Sequence, residues 1–273
     1  MRKFKLINSA GAEYDLNGLD HFFQSPAGLG ITRKYSATNI GDYYIQTDNI
    51  MNQKKVSGEI VFKDYQYYSD FISFIGGGNL TLCYCPIAPT WYYLDCAISK
   101  LNKTELEVGR LFCSIDFTGF GPWYGSTKLR KTNTTDTAGK TYPYTYSYTY
   151  VDASRGTIRY TNTSRTPAPC KIKIYGPCKN PHWVLSQGGQ DISTGDITLE
   201  LLQGETLVID SNTPTMEIAK YTDNGIIDVY QYSDFDTERF IYLPPGDSVL
   251  LFTHDGQEAL NVIVEVRQLA DTI

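Results

Sequence analysis

An all-β chain carrying one helix is what the sequence predicts, and three observations agree on it. Short runs alternate apolar and polar residues with period two; Gly and Pro interrupt the chain about every ten residues; one segment alone has helical spacing. The strand-like runs of the first half are Glu59-Ile60-Val61-Phe62, Leu80-Thr81-Leu82-Cys83-Tyr84 and Leu111 to Phe117. In the second half they are Cys170 to Tyr175, Thr206 to Ile209, Val249 to Phe252 and Ala259 to Val266. Turn residues such as Gly176-Pro177, Asn224-Gly225 and Pro244-Pro245-Gly246-Asp247 separate them, so an antiparallel architecture follows.

The helical exception runs over about 64–75. Tyr67, Tyr68, Phe71, Ile72 and Ile75 recur at three- and four-residue intervals. Asp64 is a suitable N-cap, and Gly76-Gly77-Gly78 cannot continue the helix. Further on, Lys128 to Gly139 is polar and without buried periodicity, and it leads into a strict Tyr alternation from Tyr142 to Tyr150. This shift in composition predicts a first domain over 1–128, a linker or interdomain strand over 129–150, and a second domain over 151–273.

Composition narrows function by exclusion. The chain has 273 residues with a net charge of -6, so nucleic acid and anionic membranes are poor partners: phosphate binding needs clustered cations. No apolar stretch approaches a membrane span of about 20 residues, and the basic N-terminus lacks the apolar core of a signal peptide, so synthesis in a cytoplasm is expected. Six cysteines are too few for a disulfide scaffold, and Cys83-x-Cys85 with the distant Cys170 and Cys178 does not match zinc-ligand spacing. They read as free thiols packed as small hydrophobes.

Catalytic signatures are missing. His21, His182 and His254 lie far apart in sequence, and there is no His-Glu-x-x-His or Gly-x-Ser-x-Gly. Gly28-Leu29-Gly30 begins like a dinucleotide loop but lacks the third glycine, and Ala138-Gly139-Lys140-Thr141 ends like a P-loop with Thr134 where glycine is needed. The carboxylates Asp191, Asp196, Asp234 and Asp236 fall in loop-like segments and read as solvated turn residues. Neither metal, cofactor nor catalytic residue is assigned. What stands out is Tyr 22, a side chain suited to half-buried sheets and protein interfaces.

An ordered set of fragments resembles the distal tail proteins of long-tailed, non-contractile bacteriophages. In the first half they are Phe4-Lys5-Leu6-Ile7-Asn8, Tyr14-Asp15-Leu16, Pro26-Ala27-Gly28-Leu29-Gly30, Gly58-Glu59-Ile60-Val61-Phe62, the helix, Leu101-Asn102-Lys103-Thr104-Glu105 and Trp123-Tyr124. In the second they are Ile172-Lys173-Ile174-Tyr175-Gly176, Asn180-Pro181-His182-Trp183, Gly204 to Ser211 and Phe240 to Gly246. The resemblance implies a ring-forming β-sandwich-like domain followed by a galectin-like or carbohydrate-binding-module-like β-sandwich. It also implies a structural role in the virion, at the tail tip or baseplate. There a homohexameric ring meets the major tail tube protein on one face and the tail-associated hub protein on the other, and docks baseplate or receptor-binding proteins.

The family has no catalytic motif to carry over. The expected ring-interface residues are Phe22, Phe23, Leu29, Tyr65, Tyr67 and Tyr68, for which ordinary core packing is the competing explanation. A second reading makes the second domain a host-glycan binder with Tyr144, Tyr146, Tyr148 and Trp183 as the aromatic platform, although Trp183 beside Pro181 reads first as a buried anchor at a strand start. A glycoside hydrolase is the remote third.

Overall fold

The computed structural model describes residues 2–76, 78–132, 155–256, 258–270 and 273. They form two compact units, Met1–Gly125 with Leu269–Ile273, and Ser126–Gln268. The units divide at Gly125/Ser126 with the last residues in the first unit, and residues 129–132, expected as linker or interdomain strand, are strand. The rest of the expected linker, with Tyr144, Tyr146 and Tyr148, lies outside the described residues.

In the first unit the strands are β1 (Lys3–Asn8), β2 (Glu13–Asp15), β3 (His21–Ala27), β4 (Arg33–Ile40), β5 (Tyr43–Met51), β6 (Lys55–Phe62), β7 (Leu80–Cys85), β8 (Tyr92–Leu101) and β9 (Leu111–Gly119). The helix α1 (Tyr65–Ile75) follows β6, and β10 (Trp123–Thr132) starts here. Antiparallel pairing runs β2-β1-β7-β8-β9-β6-β3. The two ends of that order are tied together, because Asn17 bridges Phe22 and the Phe23 N–H donates to the Leu16 carbonyl at 3.0 Å. Period-two burial is clear on β9, where Leu111, Cys113, Ile115 and Phe117 face inward. They meet Phe4, Leu6, Ile60, Phe62, Leu82 and Leu94 in one core.

Helix α1 begins where Asp64 caps it. The Asp64 carboxylate accepts from the Gln66 and Tyr67 N–H groups at 2.9 and 3.2 Å, satisfying two of the four donors a helix start leaves open. Phe71 is buried against Phe62 and Tyr14. Ile72 is exposed and Phe74 takes its expected place on the inner face. One residue is 100° of helix, so a stripe centred on Phe71 and Ile75 reaches 74 and leaves 72 in solvent. Asp64→Ala is expected to cost about 1 kcal/mol, read as a lower urea midpoint with an unchanged m-value.

The second unit holds β11 (Gly156–Asn162), β12 (Ala168–Tyr175), β13 (Cys178–Lys179), β14 (His182–Gln187), β15 (Gln190–Asp196), β16 (Glu200–Leu201), β17 (Thr206–Asp210), β18 (Glu217–Thr222), β19 (Gly225–Asp228), β20 (Tyr242–Leu243), β21 (Gly246–Thr253) and β22 (Asn261–Ala270). One sheet has the order β19-β18-β17-β12-β22, the other β11-β21-β14-β15. Ile172, Leu207 and Val264 from the first sheet share a core with Trp183, Leu250 and Phe252 from the second. Two antiparallel sheets burying one face each against the other make a β-sandwich. The all-β class with one α-helix therefore holds for the described residues.

Candidate interaction surfaces

The most exposed part of the first unit is a hairpin that the sequence reading passed over. Strands β4 and β5 pair only with each other, from Arg33↔Met51 to Ile40↔Tyr43. All of their residues are exposed except the half-buried Met51, and they include Tyr35, Ile40, Tyr43, Tyr44, Ile45 and Ile50. Tyr43 is 78% exposed and Tyr44 74%. The available signal was Gly41-Asp42 between two strand-length runs, with Gly41 at φ +65° as a tight hairpin turn requires.

The base of the hairpin is anchored. Gly28, at φ +87°, passes so close to β6 that a Cβ would lie 2.0 Å from the Lys55 carbonyl oxygen. This close approach explains Gly28, whereas Gly30 has open space beside it. Buried Lys54 donates its Nζ to the Gly30 carbonyl at 3.2 Å, the Asn52 N–H reaches the Thr32 carbonyl at 3.1 Å, and the Gln53 amide reaches the Gly119 carbonyl at 3.0 Å.

The expected interface residues divide by burial. Phe23 is core: its ring meets Phe4 edge-on at 5.0 Å and is buried, so it presents no surface to a partner. Leu29 is half-buried against the same core. Phe22 is half-buried beneath the Arg110 guanidinium at 5.7 Å. Tyr68 packs edge-on to Phe62, and its phenol is pushed up by burial. The Tyr67 hydroxyl donates to Asp20 at 3.1 Å. Asp20 also pairs with Lys63 at 2.9 Å, and hydrogen bonds from Lys63 and Tyr67 hold its carboxyl below the usual range. Tyr65 alone is exposed; its hydroxyl donates to Glu105 at 2.5 Å and Lys103 sits over its ring.

Trp183 is the buried anchor and not the platform. It is fully buried in the core of the second unit, so it offers no platform to a sugar. Its register partner is Gly195, whose missing side chain makes room: a Cβ there would lie 2.1 Å from the indole. Among the described residues the exposed aromatics of this unit are Tyr230, Tyr232, Phe235 and Tyr242.

Reactive groups are not assembled. Among the described residues no three His, Cys, Asp or Glu side chains are placed to hold a metal ion. His182 pairs with Asp196 at 2.6 Å, Asp191 accepts from Ser186 at 2.6 Å, and Asp234 accepts from the Asp236 N–H. These are local turn and strand contacts. All six cysteines are buried and free, and burial pushes the thiols of Cys83, Cys96, Cys170 and Cys178 up to about 12. A thiol raised that far is neutral at pH 8, and the thiolate is the nucleophile. The folded protein should therefore show almost no reaction with Ellman's reagent at pH 8, and all six thiols should titrate once guanidinium unfolds it.

The described residues thus combine buried cores with a hairpin of exposed aromatics that pairs with no other strand. The model of the family described as distal tail protein, N-terminal domain, matches residues 3–120. Across its whole length the chain has the fold of a protein in the activated baseplate of phage P2, solved with calcium and again with strontium. Each shows 16% identity and a TM-score of 0.69, with 100% of both chains covered. The Dit protein of phage SPP1, described as a paradigm of the hub adsorption apparatus in phages infecting Gram-positive bacteria, shows 12% identity and a TM-score of 0.60. There 96% of this chain and 98% of that one are covered. Each is by its description a component of a phage baseplate or adsorption apparatus. No curated protein matches the sequence.

Proposed function

We propose that this chain is a structural protein of the phage tail tip, a distal tail protein that closes into a hexameric ring through its first unit. The ring joins the tail tube to the tail-associated hub protein, and the second unit meets baseplate or receptor-binding proteins. The hairpin of β4 and β5 carries this reading. A two-stranded hairpin is marginal in water by itself, and its outer edges present unpaired backbone groups alongside exposed Tyr and Ile. Where the strand order of the body is tied end to end, the hairpin is the part of the first unit that calls for a partner. A copy of the same chain supplies one: a patch and a complement at different places on one surface generate a ring when the rotation closes.

Native mass spectrometry of the full chain tests it. The expected species has about six times the 30.8 kDa of one chain. A monomer persisting at concentrations well above about 10 μM, where a Kd in that range gives substantial association, would overturn the ring.

A further inference from the structure

We infer that the free edge of β19, together with the aromatic cluster beside it, is a docking surface for an extended, cationic segment of another protein. The inference rests on the reading that the second unit meets other tail proteins, and it concerns a surface that the ring does not use.

The edge comes first. Strand β19 ends its sheet and has β18 on one side only. Its sequence, Gly225-Ile226-Ile227-Asp228, is exposed throughout, and Ile226 is 63% in solvent. Successive side chains of a strand point to opposite faces, so neither isoleucine is explained by the core. Natural edges are usually guarded by Pro, Lys or a bulge. None stands in this strand, and its one charge is the acidic Asp228.

The cluster is contiguous with this edge. The Tyr230 N–H donates to the Asp228 carboxylate at 2.9 Å. Tyr230 meets Phe235 edge-on at 5.7 Å and stacks with Phe240. The Arg239 guanidinium lies 5.3 Å from the Tyr230 ring centre and 5.0 Å from that of Phe235, and it donates to the Tyr230 hydroxyl at 2.6 Å. The rings are thus held before any partner arrives, which lowers the entropy lost on binding. Tyr and Arg are also the residues that carry most interface energy.

Charge selects the occupant. Residues 223–242 hold Asp223, Asp228, Asp234, Asp236 and Glu238 against Arg239 alone, a balance of -4 in a chain of -6. None of the five acids is in an ion pair with a described residue. Two copies meeting through this face would bring like charges together, and a neutral glycan could donate hydrogen bonds to the carboxylates but would leave their net charge uncompensated. A cationic partner gains from all of them, and an open strand edge offers it main-chain hydrogen bonds.

The probe is a synthetic strand-forming peptide that alternates lysine with isoleucine and threonine; its glutamate counterpart and dextran serve as comparisons, each titrated into the full chain. The lysine peptide should bind, slow hydrogen exchange at 225–228, and weaken about fivefold or more when salt rises from about 50 to 300 mM. Asp236→Asn with Glu238→Gln should weaken it about fivefold, and Ile226→Lys should abolish it while the native mass of the assembly stays unchanged. The inference is overturned if the glutamate peptide binds as well or the lysine peptide leaves 225–228 unprotected. It is equally overturned if dextran displaces the peptide, or if the chain self-associates through this face in a manner that Ile226→Lys removes. Loss of the ring in the unmodified protein would instead count against the proposed function.

Discussion

Replacing residues 33–51 with a short Gly-Ser turn is expected to abolish assembly and leave a folded monomer. No residue of β4 or β5 belongs to the first core, so the deletion removes no buried contact that the unit needs to fold. Its anchors are backbone contacts around Gly28, Gly30, Thr32 and Asn52, close to the ends of the cut. Thermal unfolding should therefore shift by no more than a degree or two, whereas association should weaken by at least about a hundredfold. The size of that loss follows from interface energetics: large aromatic anchors cost about 2 kcal/mol or more each when removed, and the hairpin carries Tyr35, Tyr43 and Tyr44. A gentler version, Tyr43→Lys with Ile45→Lys, should give the same direction, since a lysine at a dry contact must lose its hydration. Native mass spectrometry and sedimentation velocity read both. A hairpin-less chain that still assembles would place the interface elsewhere.

Trp183→Ala should be the most destabilising single change in the second unit, at about 3–5 kcal/mol. The indole is fully buried, and the position of Gly195 against it shows that the surrounding strands are built to its shape. Truncation leaves a cavity that a closed sandwich core cannot collapse to fill. Adding bulk from the other side tests the same packing: the Cβ of Gly195→Ala would lie 2.1 Å from the indole and 2.5 Å from the Glu238 carbonyl oxygen. That collision should cost about 1–3 kcal/mol or more, because backbone as well as side chain must move. In guanidinium titrations, followed by circular dichroism for both variants and by tryptophan fluorescence for Gly195→Ala, whose Trp183 is the one tryptophan of the second unit, the transition of that unit should move to lower denaturant. The transition assigned to the first unit should remain in place.

Particular residues show which parts of this architecture were legible in the sequence. The alternation of Leu111, Cys113, Ile115 and Phe117 and the spacing of Tyr67, Phe71 and Ile75 report burial directly, because a face packed on a core must be apolar at its own period. Asp64 was legible as a cap for the same local reason. The hairpin of β4 and β5 was not: it packs on nothing within its own unit, so both of its faces mix Tyr and Ile with Lys, Asp and Asn, and no single buried face imposes a pattern. Interface residues suffer in the same way. Phe23 and Tyr68 face the core in a pattern indistinguishable in sequence from one facing a partner. Trp183 beside Pro181 was legible as a strand-start anchor, but sequence alone does not tell the inner face of a sandwich from the outer, so the sugar platform stayed open until burial and Gly195 across the sheet excluded it. The exposed aromatic cluster of 230–242 escaped notice because it sits in turns, where no periodicity exists to be broken.

The central claim is that the β4–β5 hairpin rests on a neighbouring copy. Hydrogen–deuterium exchange across 33–51, followed from dilute monomer to the assembled protein, tests it most directly. The account predicts fast exchange in the monomer and strong protection of both strands in the assembly, with the amides of the first core slow in both. Equal and rapid exchange of the hairpin in an assembled ring would contradict it.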